Sequence, residues 1–376
     1  MDADRAFETV RNGGASAHLR ALALLVVGVL ALRSAARAEG AAPPARLADT
    51  GLYADFAART PAPGVLPYTP QYPLWTDGAT KRRWIRLPAG AAIDASDPDA
   101  WVFPVGTRFW KEFSFGRPVE TRYMERLADG TWLFATYRWS EDGRDAVLAS
   151  ERGERGVVEI RPGIRHDLPS RWDCKACHEG SPAGVLGFGA LQLSPDRDPL
   201  APHATAPEPG SVDLAALVAR GLVVHLPAEL VRHPPRVAAA TPIERAALGY
   251  LHGNCSGCHN LRGPLAGLGL SLAVQMAPAH GDPDQAHATA VGRPSHFAPR
   301  GVAAVLRVRA GAPDESVLAL RIASRDPLVQ MPPLGTHLVD EEAVALIRAW
   351  ISQARPVAPD PVRTARAQPI SPEEMH

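Results

Sequence analysis

The chain holds four cysteines, and all of them fall within two copies of one pattern, Cys-x-x-Cys-His. The first copy is Cys174, Cys177 and His178, and the second is Cys255, Cys258 and His259. This spacing attaches haem c: two thiols form thioethers to the porphyrin vinyl groups, and the imidazole of the next residue takes the iron from one side. On a helical turn, positions i, i+3 and i+4 share a face, so the three side chains can meet one macrocycle. From the chain's own Cys and His frequencies, one copy is expected by chance roughly a thousandth of the time. Disulfides, a thioredoxin-like redox pair or a Cys/His zinc site would each leave the histidine after both pairs unexplained. The expected cofactors are two covalently attached haem c groups, with His178 and His259 as iron ligands.

The elements that must position the first motif read as strands. The segment from Leu47 to Trp172 holds every tryptophan except Trp350. Gly106 to Phe115, Val119 to Leu127 and Thr131 to Ser140 are rich in aromatic and β-branched residues, separated by Gly116-Arg-Pro118, Asp129-Gly130 and Glu141-Asp-Gly143. Asp129-Gly130 between two such runs is a hairpin signal. Lys81 to Leu87, Trp101 to Pro104 and Gly156 to Arg161 predict further, shorter strands. An antiparallel β domain over 47–193, ending in the first haem c motif, is expected. Residues 194–240 then read as a Pro-rich linker with a short helix at Val212 to Leu222.

Around the second motif the pattern turns helical. Thr241-Pro-Ile-Glu244 combines an N-cap, proline at the first helical position and a capping-box glutamate. Ile243, Ala246, Ala247, Tyr250 and Leu251 follow as one apolar stripe and lead into Cys255. Asp340 can cap a last helix to about Gln353, with Val344, Ile347, Trp350 and Ile351 facing inward. Between them, Val329-Gln-Met-Pro-Pro333 offers Met331 as a distal ligand opposite His259, because proline restricts the backbone that presents the thioether. Met276, in Val274-Gln-Met-Ala-Pro278, is the rival. The residues at 355–376 read as a disordered tail.

The first 38 residues read as an export signal, with Arg5, Arg11 and Arg20 before an apolar run from Ala21 to Leu32 and small residues ending in Ala36-Arg-Ala38. A retained anchor is the alternative, but the run is short for a bilayer span. Haem is attached to such motifs outside the bacterial cytoplasm, so the mature protein is expected in the periplasm with no membrane span. At 376 residues and a formal net charge of zero, the chain gives no electrostatic case for nucleic acid or an anionic membrane surface.

Three resemblances follow from these residues. Pro73-Leu-Trp-Thr-Asp-Gly-Ala-Thr-Lys-Arg-Arg83, Phe103-Pro-Val-Gly-Thr107 and Val119-Glu-Thr-Arg122 resemble a family of exported bacterial dihaem c-type cytochromes, over most of the mature chain. That family implies this domain order and haem content but lends no reaction. A helix ending at Cys-x-x-Cys-His, with a capped C-terminal helix packing across it and a Met-Pro-Pro loop between, resembles class I cytochrome c. The resemblance implies an all-α domain over 241–354 and His/Met ligation, a pair that raises the reduction potential. The fold class expected is therefore α+β, an antiparallel β domain followed by an all-α cytochrome c-like domain. A weaker similarity is to the cytochrome P460 group, whose β domain opens with a Phe/Trp-Pro-x-Gly-Thr-like strand and closes with Cys-x-x-Cys-His. Members can cross-link a strand lysine to the haem and oxidise small nitrogen compounds at an open iron. Here the corresponding lysine is Lys111, which alternates onto the face of Phe109, Phe113 and Phe115; a structural Lys111 that snorkels beside Glu112 is the other reading.

The first haem's sixth ligand stays open among Met124, His166, His203, His225 and His233, and no catalytic residue is identified. Two functions follow. With both irons closed, the chain carries electrons to or from a periplasmic redox protein or dehydrogenase. With the first iron open, it is a peroxidase-like or P460-like enzyme, and the second haem relays electrons. A carbohydrate- or protein-binding β domain tethered to a cytochrome is a third reading.

Overall fold

The computed structural model describes residues 42–277, 285–298 and 305–356. The expected export signal and all but the start of the expected tail lie outside them. From Pro43 onward the chain clusters as one compact unit.

β1 (Tyr53–Asp55) and β2 (Thr60–Pro61) form a short hairpin ahead of the main sheet. β3 (Leu66–Pro67) and β4 (Thr80–Arg86) begin that sheet, and β5 (Ile93–Asp94) leaves it. β6 (Arg108–Phe115), β7 (Arg117–Arg126), β8 (Trp132–Trp139) and β9 (Ala146–Leu148) complete six antiparallel strands in the order β3-β4-β6-β7-β8-β9. The expected Asp129-Gly130 turn closes β7 onto β8: Gly130 takes φ +82°, and Asp129 Oδ1 accepts from the Thr131 amide at 2.8 Å. Trp101 to Pro104, expected as a strand, reaches only a single bridge between Val102 and Asp94.

Both faces of the sheet are covered, because alternation places aromatic residues on each. One face buries Trp84, Trp110, Tyr123 and Tyr137 beneath Leu47 and Leu52. The other carries Ile85, Phe109, Met124 and Phe134 in one cross-strand row. Against that row sits Phe188, whose ring lies 4.8 Å from Tyr68 and 5.3 Å from Phe109. The Pro-rich segment after it adds Val212, Leu214, Leu217 and Val223 to this core.

β10 (Glu154–Arg161) and β11 (Ile164–Leu168) form a separate hairpin leading into α1 (Arg171–His178). α2 (Leu214–Ala219) is capped by Asp213, and β12 (Val223–Val224) pairs parallel with β5. α3 (Ala228–Arg232) precedes α4 (Pro242–Cys255), whose cap is the expected one: Thr241 Oγ1 accepts from the Glu244 amide at 3.1 Å. α5 (Gln285–Ala290), α6 (Val317–Ile322) and α7 (Glu341–Gln353) follow, with Asp340 capping α7. Leu248 and Leu251 of α4 share a second core with Ile347, Trp350 and Ile351 of α7, and Tyr72 and Leu191 from the first half enter it. Gly249 makes room for this, since a Cβ there would lie 2.1 Å from the Tyr72 ring.

The expected all-α cytochrome c-like domain is not formed, and the fold class is corrected accordingly. The fold centres on the antiparallel six-stranded sheet, and helices are few. Between α4 and α7 the described residues hold only two six-residue helices, single 3-10 turns and isolated bridges such as Val291 to Val308. Prolines at 264, 294, 313, 327, 332 and 333 explain this, because each removes an amide donor and clashes with a helical carbonyl. Among the described residues no helix is long and apolar enough to cross a membrane.

Candidate functional site

The first motif is set on a capped helix. Ser170 Oγ accepts from the Asp173 amide at 3.1 Å, and Asp173 Oδ2 accepts from the Ser170 amide at 2.8 Å, which starts α1 one residue later. All three motif side chains are partly buried, and Cys174 packs against the core of the sheet. His178 Nδ1 donates to the Gly184 carbonyl at 2.9 Å, and its ring lies 5.1 Å from Phe134 on β8. Burial lowers the His178 pKa to about 4 despite that bond, with the Lys111 and Arg122 charges adding to the effect. A neutral imidazole with Nδ1–H committed to a carbonyl keeps its Nε2 lone pair for a metal, the usual arrangement of an iron-bound histidine.

The second motif follows the end of α4. The His259 amide donates to the Cys255 carbonyl at 2.9 Å, closing the turn, and His259 Nδ1 is buried without a partner among the described residues. Burial lowers the His259 pKa, helped by the Arg321 and Arg307 charges. Arg321 stacks over Phe297 at 4.3 Å and ties down the following loop: its Nε donates to Val329 O at 2.8 Å, and the Met331 amide donates to Arg321 O at 3.0 Å. The residue whose charge reaches His259 thus also anchors the segment carrying Met331.

The two motifs, assigned from sequence to separate domains, lie side by side. Cys258 Sγ donates to the Ala176 carbonyl at 3.9 Å, one residue before Cys177, and the two thiols act on each other so that Cys177 is pushed up and Cys258 down. Asn260 Nδ2 donates to Gly180 O at 2.7 Å. A Cβ at Gly180 would lie 2.1 Å from the Gly257 carbonyl oxygen, so only glycine permits this approach. Burial raises Cys174 to about 11 and Cys255 to about 12. The four thiols and two imidazoles therefore form one site with two attachment points, a donor set that fits two haem c groups. Comparison with protein-family models, curated proteins and solved structures finds no match.

The other sequence candidates separate by environment. Met124 is buried and pairs across the strands with Phe134, whose ring meets His178. His166 is buried beside Glu120, with Nε2 3.2 Å from Oε1. His203 meets Asp340 at 2.8 Å, His225 meets Asp94 at 3.2 Å, and His233 meets Glu229 at 2.6 Å, so each has a carboxylate partner. The Met276 amide donates to Asp99 Oδ1 at 2.8 Å, and its side chain packs against both cores. Lys111 lies on the sheet face toward His178, opposite Arg83 and Arg122, and desolvation first, then those charges and Lys81, lower its pKa well below the usual range.

Sequence reasoning missed Arg83, Arg122 and Glu120, which surround Lys111, and Asn260 with Gly180 and Gly257, which join the motifs. The inward alternation of β4 and β7 carried the signal for the first group. The second group carried none, because small residues in turns have no period.

Proposed function

We propose that the chain is a periplasmic dihaem c-type cytochrome that transfers electrons to or from a redox partner. The observation that carries this reading is the contact between the two motifs, where Gly180 meets Gly257, Asn260 bonds to Gly180 and Cys258 Sγ bonds to the Ala176 carbonyl. Electron tunnelling falls off steeply with distance, and attachment points that touch favour fast transfer from one centre to the next. When bound, haem c supplies one-electron redox chemistry. Cys174 and Cys177 would hold one group and Cys255 and Cys258 the other, with Nε2 of His178 and of His259 available to iron. Phe134 presents its ring to His178, and Met331, on the loop anchored to Arg321, is the proposed sulfur ligand of the second site, with Met276 as the rival.

Electron paramagnetic resonance of the oxidised protein, with carbon monoxide added after reduction, tests this. Two low-spin signals and no ligand binding are expected. A high-spin ferric signal with carbon monoxide bound at one haem would replace electron transfer by the enzyme reading with an open first iron. That second reading draws on Lys111, which has no carboxylate partner among the described residues and faces His178.

A further inference from the structure

The sheet face next to α1 carries more positive charge than it can balance. Arg83, Lys111 and Arg122 stand directly opposite one another across β4, β6 and β7. Like charges in that position repel. Lys81 joins them one pair along, and the ring of Phe113 lies under Lys81, Lys111 and Arg122 at 5.5, 5.0 and 4.3 Å. Glu120 compensates once, binding Arg122 at 2.7 Å, and it also meets His166. Asp77 lies near Lys81, but its Oδ1 accepts from the His337 and Leu338 amides. Among the described residues Lys81 Nζ reaches only the Ala79 carbonyl, at 3.0 Å. Among the described residues the Arg83 guanidinium has no hydrogen bond or ion pair, although the residue is only 7% exposed. A guanidinium with so little access to water and no partner is disfavoured, and a counter-charge at this face would relieve it.

The position of the group says where that counter-charge lies. Phe134, whose ring lies 5.1 Å from His178, stands in the row of Phe109, Met124 and Phe134, and Lys111 and Arg122 lie two residues along on the same face of β6 and β7. We propose that Lys81, Arg83, Lys111 and Arg122 form an anion site beside the first Cys-x-x-Cys-His motif, taking carboxylates or a small oxyanion. Two sources have this chemistry. One is the pair of propionates on a haem held by Cys174 and Cys177, and the other is a free anion entering the same face. Arg supplies planar paired donors to either, and the lysines supply point charges.

The test uses full-length protein matured in the periplasm, with Arg83→Gln, Lys111→Gln and Arg83→Lys variants checked by circular dichroism for retained fold. Sodium sulfate is titrated calorimetrically, and both haem potentials are measured. With a free anion, sulfate binds at one equivalent, Arg83→Gln and Lys111→Gln each weaken it at least about tenfold, and Arg83→Lys retains it. With propionates in place, sulfate gives no heat, and the two Gln variants lower the first haem's potential, about tenfold in the one-electron equilibrium or 59 mV. In that case Arg83→Lys leaves the potential near wild type, and the second haem moves less than the first. Absence of sulfate binding together with unmoved potentials, or sulfate binding indifferent to both Gln variants, would overturn the site. Protein that carries no haem loses only the second readout. The dihaem reading would then have failed, while sulfate binding or its absence still decides the anion site.

Discussion

The Asn260 side-chain amide donates to the Gly180 carbonyl at 2.7 Å, bonding the turn after one Cys-x-x-Cys-His motif to the turn after the other. Gly180 and Gly257 touch at the same place, where a Cβ on residue 180 would sit 2.1 Å from the Gly257 oxygen. Gly180→Ala must therefore push the motifs apart or strain both turns. Overpacking of this kind costs about 1–3 kcal/mol. The expected outcome is a lower denaturant midpoint together with weaker magnetic coupling between the two irons. Unchanged coupling in a folded Gly180→Ala protein would contradict the contact.

His252 gives the fold an acid-side sensitivity. Burial lowers its pKa to about 4, partly opposed by the Asp99 charge, and its Nδ1 accepts from the Val274 amide at 3.1 Å. An unfolded histidine titrates near 6.5, so between about pH 6.5 and 4 the unfolded chain binds a proton that the folded chain refuses. Stability from this residue is full above that window and falls as pH drops through it. His252→Phe should flatten the stability-versus-pH slope by one proton, while orphaning the Val274 amide at a cost of about 1–3 kcal/mol at neutral pH. Denaturant midpoints across pH 4–7 check both.

Met331 and Met276 make distinct predictions. The loop of Met331 is pinned to Arg321, whose charge reaches His259, and Met276 sits where the two cores meet. Met331→Ala should abolish the long-wavelength sulfur-to-iron charge-transfer band, and Met276→Ala should leave it. The reverse pattern would transfer the assignment to Met276.

Lys111 offers either a charge or a covalent bond to the site. With Arg83 and Arg122 opposite it on neighbouring strands, the anion account needs its amine free. Digestion of the denatured protein should return the Lys111 peptide unmodified and in full yield. A peptide joining Lys111 to haem and to the Cys174 segment would instead establish the cross-link of the open-iron enzyme.

The strands were legible because alternation and turn chemistry are local. β6, β7 and β8 emerge where aromatic and β-branched residues alternate, and Asp129-Gly130 turns as its residue types require. The caps of α4 and α7 were legible for the same reason. Extending those two helices into an all-α domain failed, because the intervening chain is punctuated by proline and settles into bridges and short turns. The cysteines and histidines of the site could be read from spacing alone. Their meeting could not, since it depends on contacts such as the Trp75 amide to Asn254 Oδ1 at 2.8 Å, between residues far apart in sequence. The cation row needed strand register, which places Arg83 and Arg122 in line with Lys111, the one member that alternation alone puts on an aromatic face.

Covalent haem on both Cys-x-x-Cys-His motifs is the proposal on which the electron-transfer reading stands. Intact mass of the denatured protein, matured in a periplasm competent for c-type cytochromes and paired with its pyridine haemochrome spectrum, tests this most directly. The account predicts two haem equivalents per chain, falling to one in a Cys174→Ala/Cys177→Ala variant and to one in a Cys255→Ala/Cys258→Ala variant. A mass without haem, with Cys177 and Cys258 joined as a disulfide instead, would contradict it.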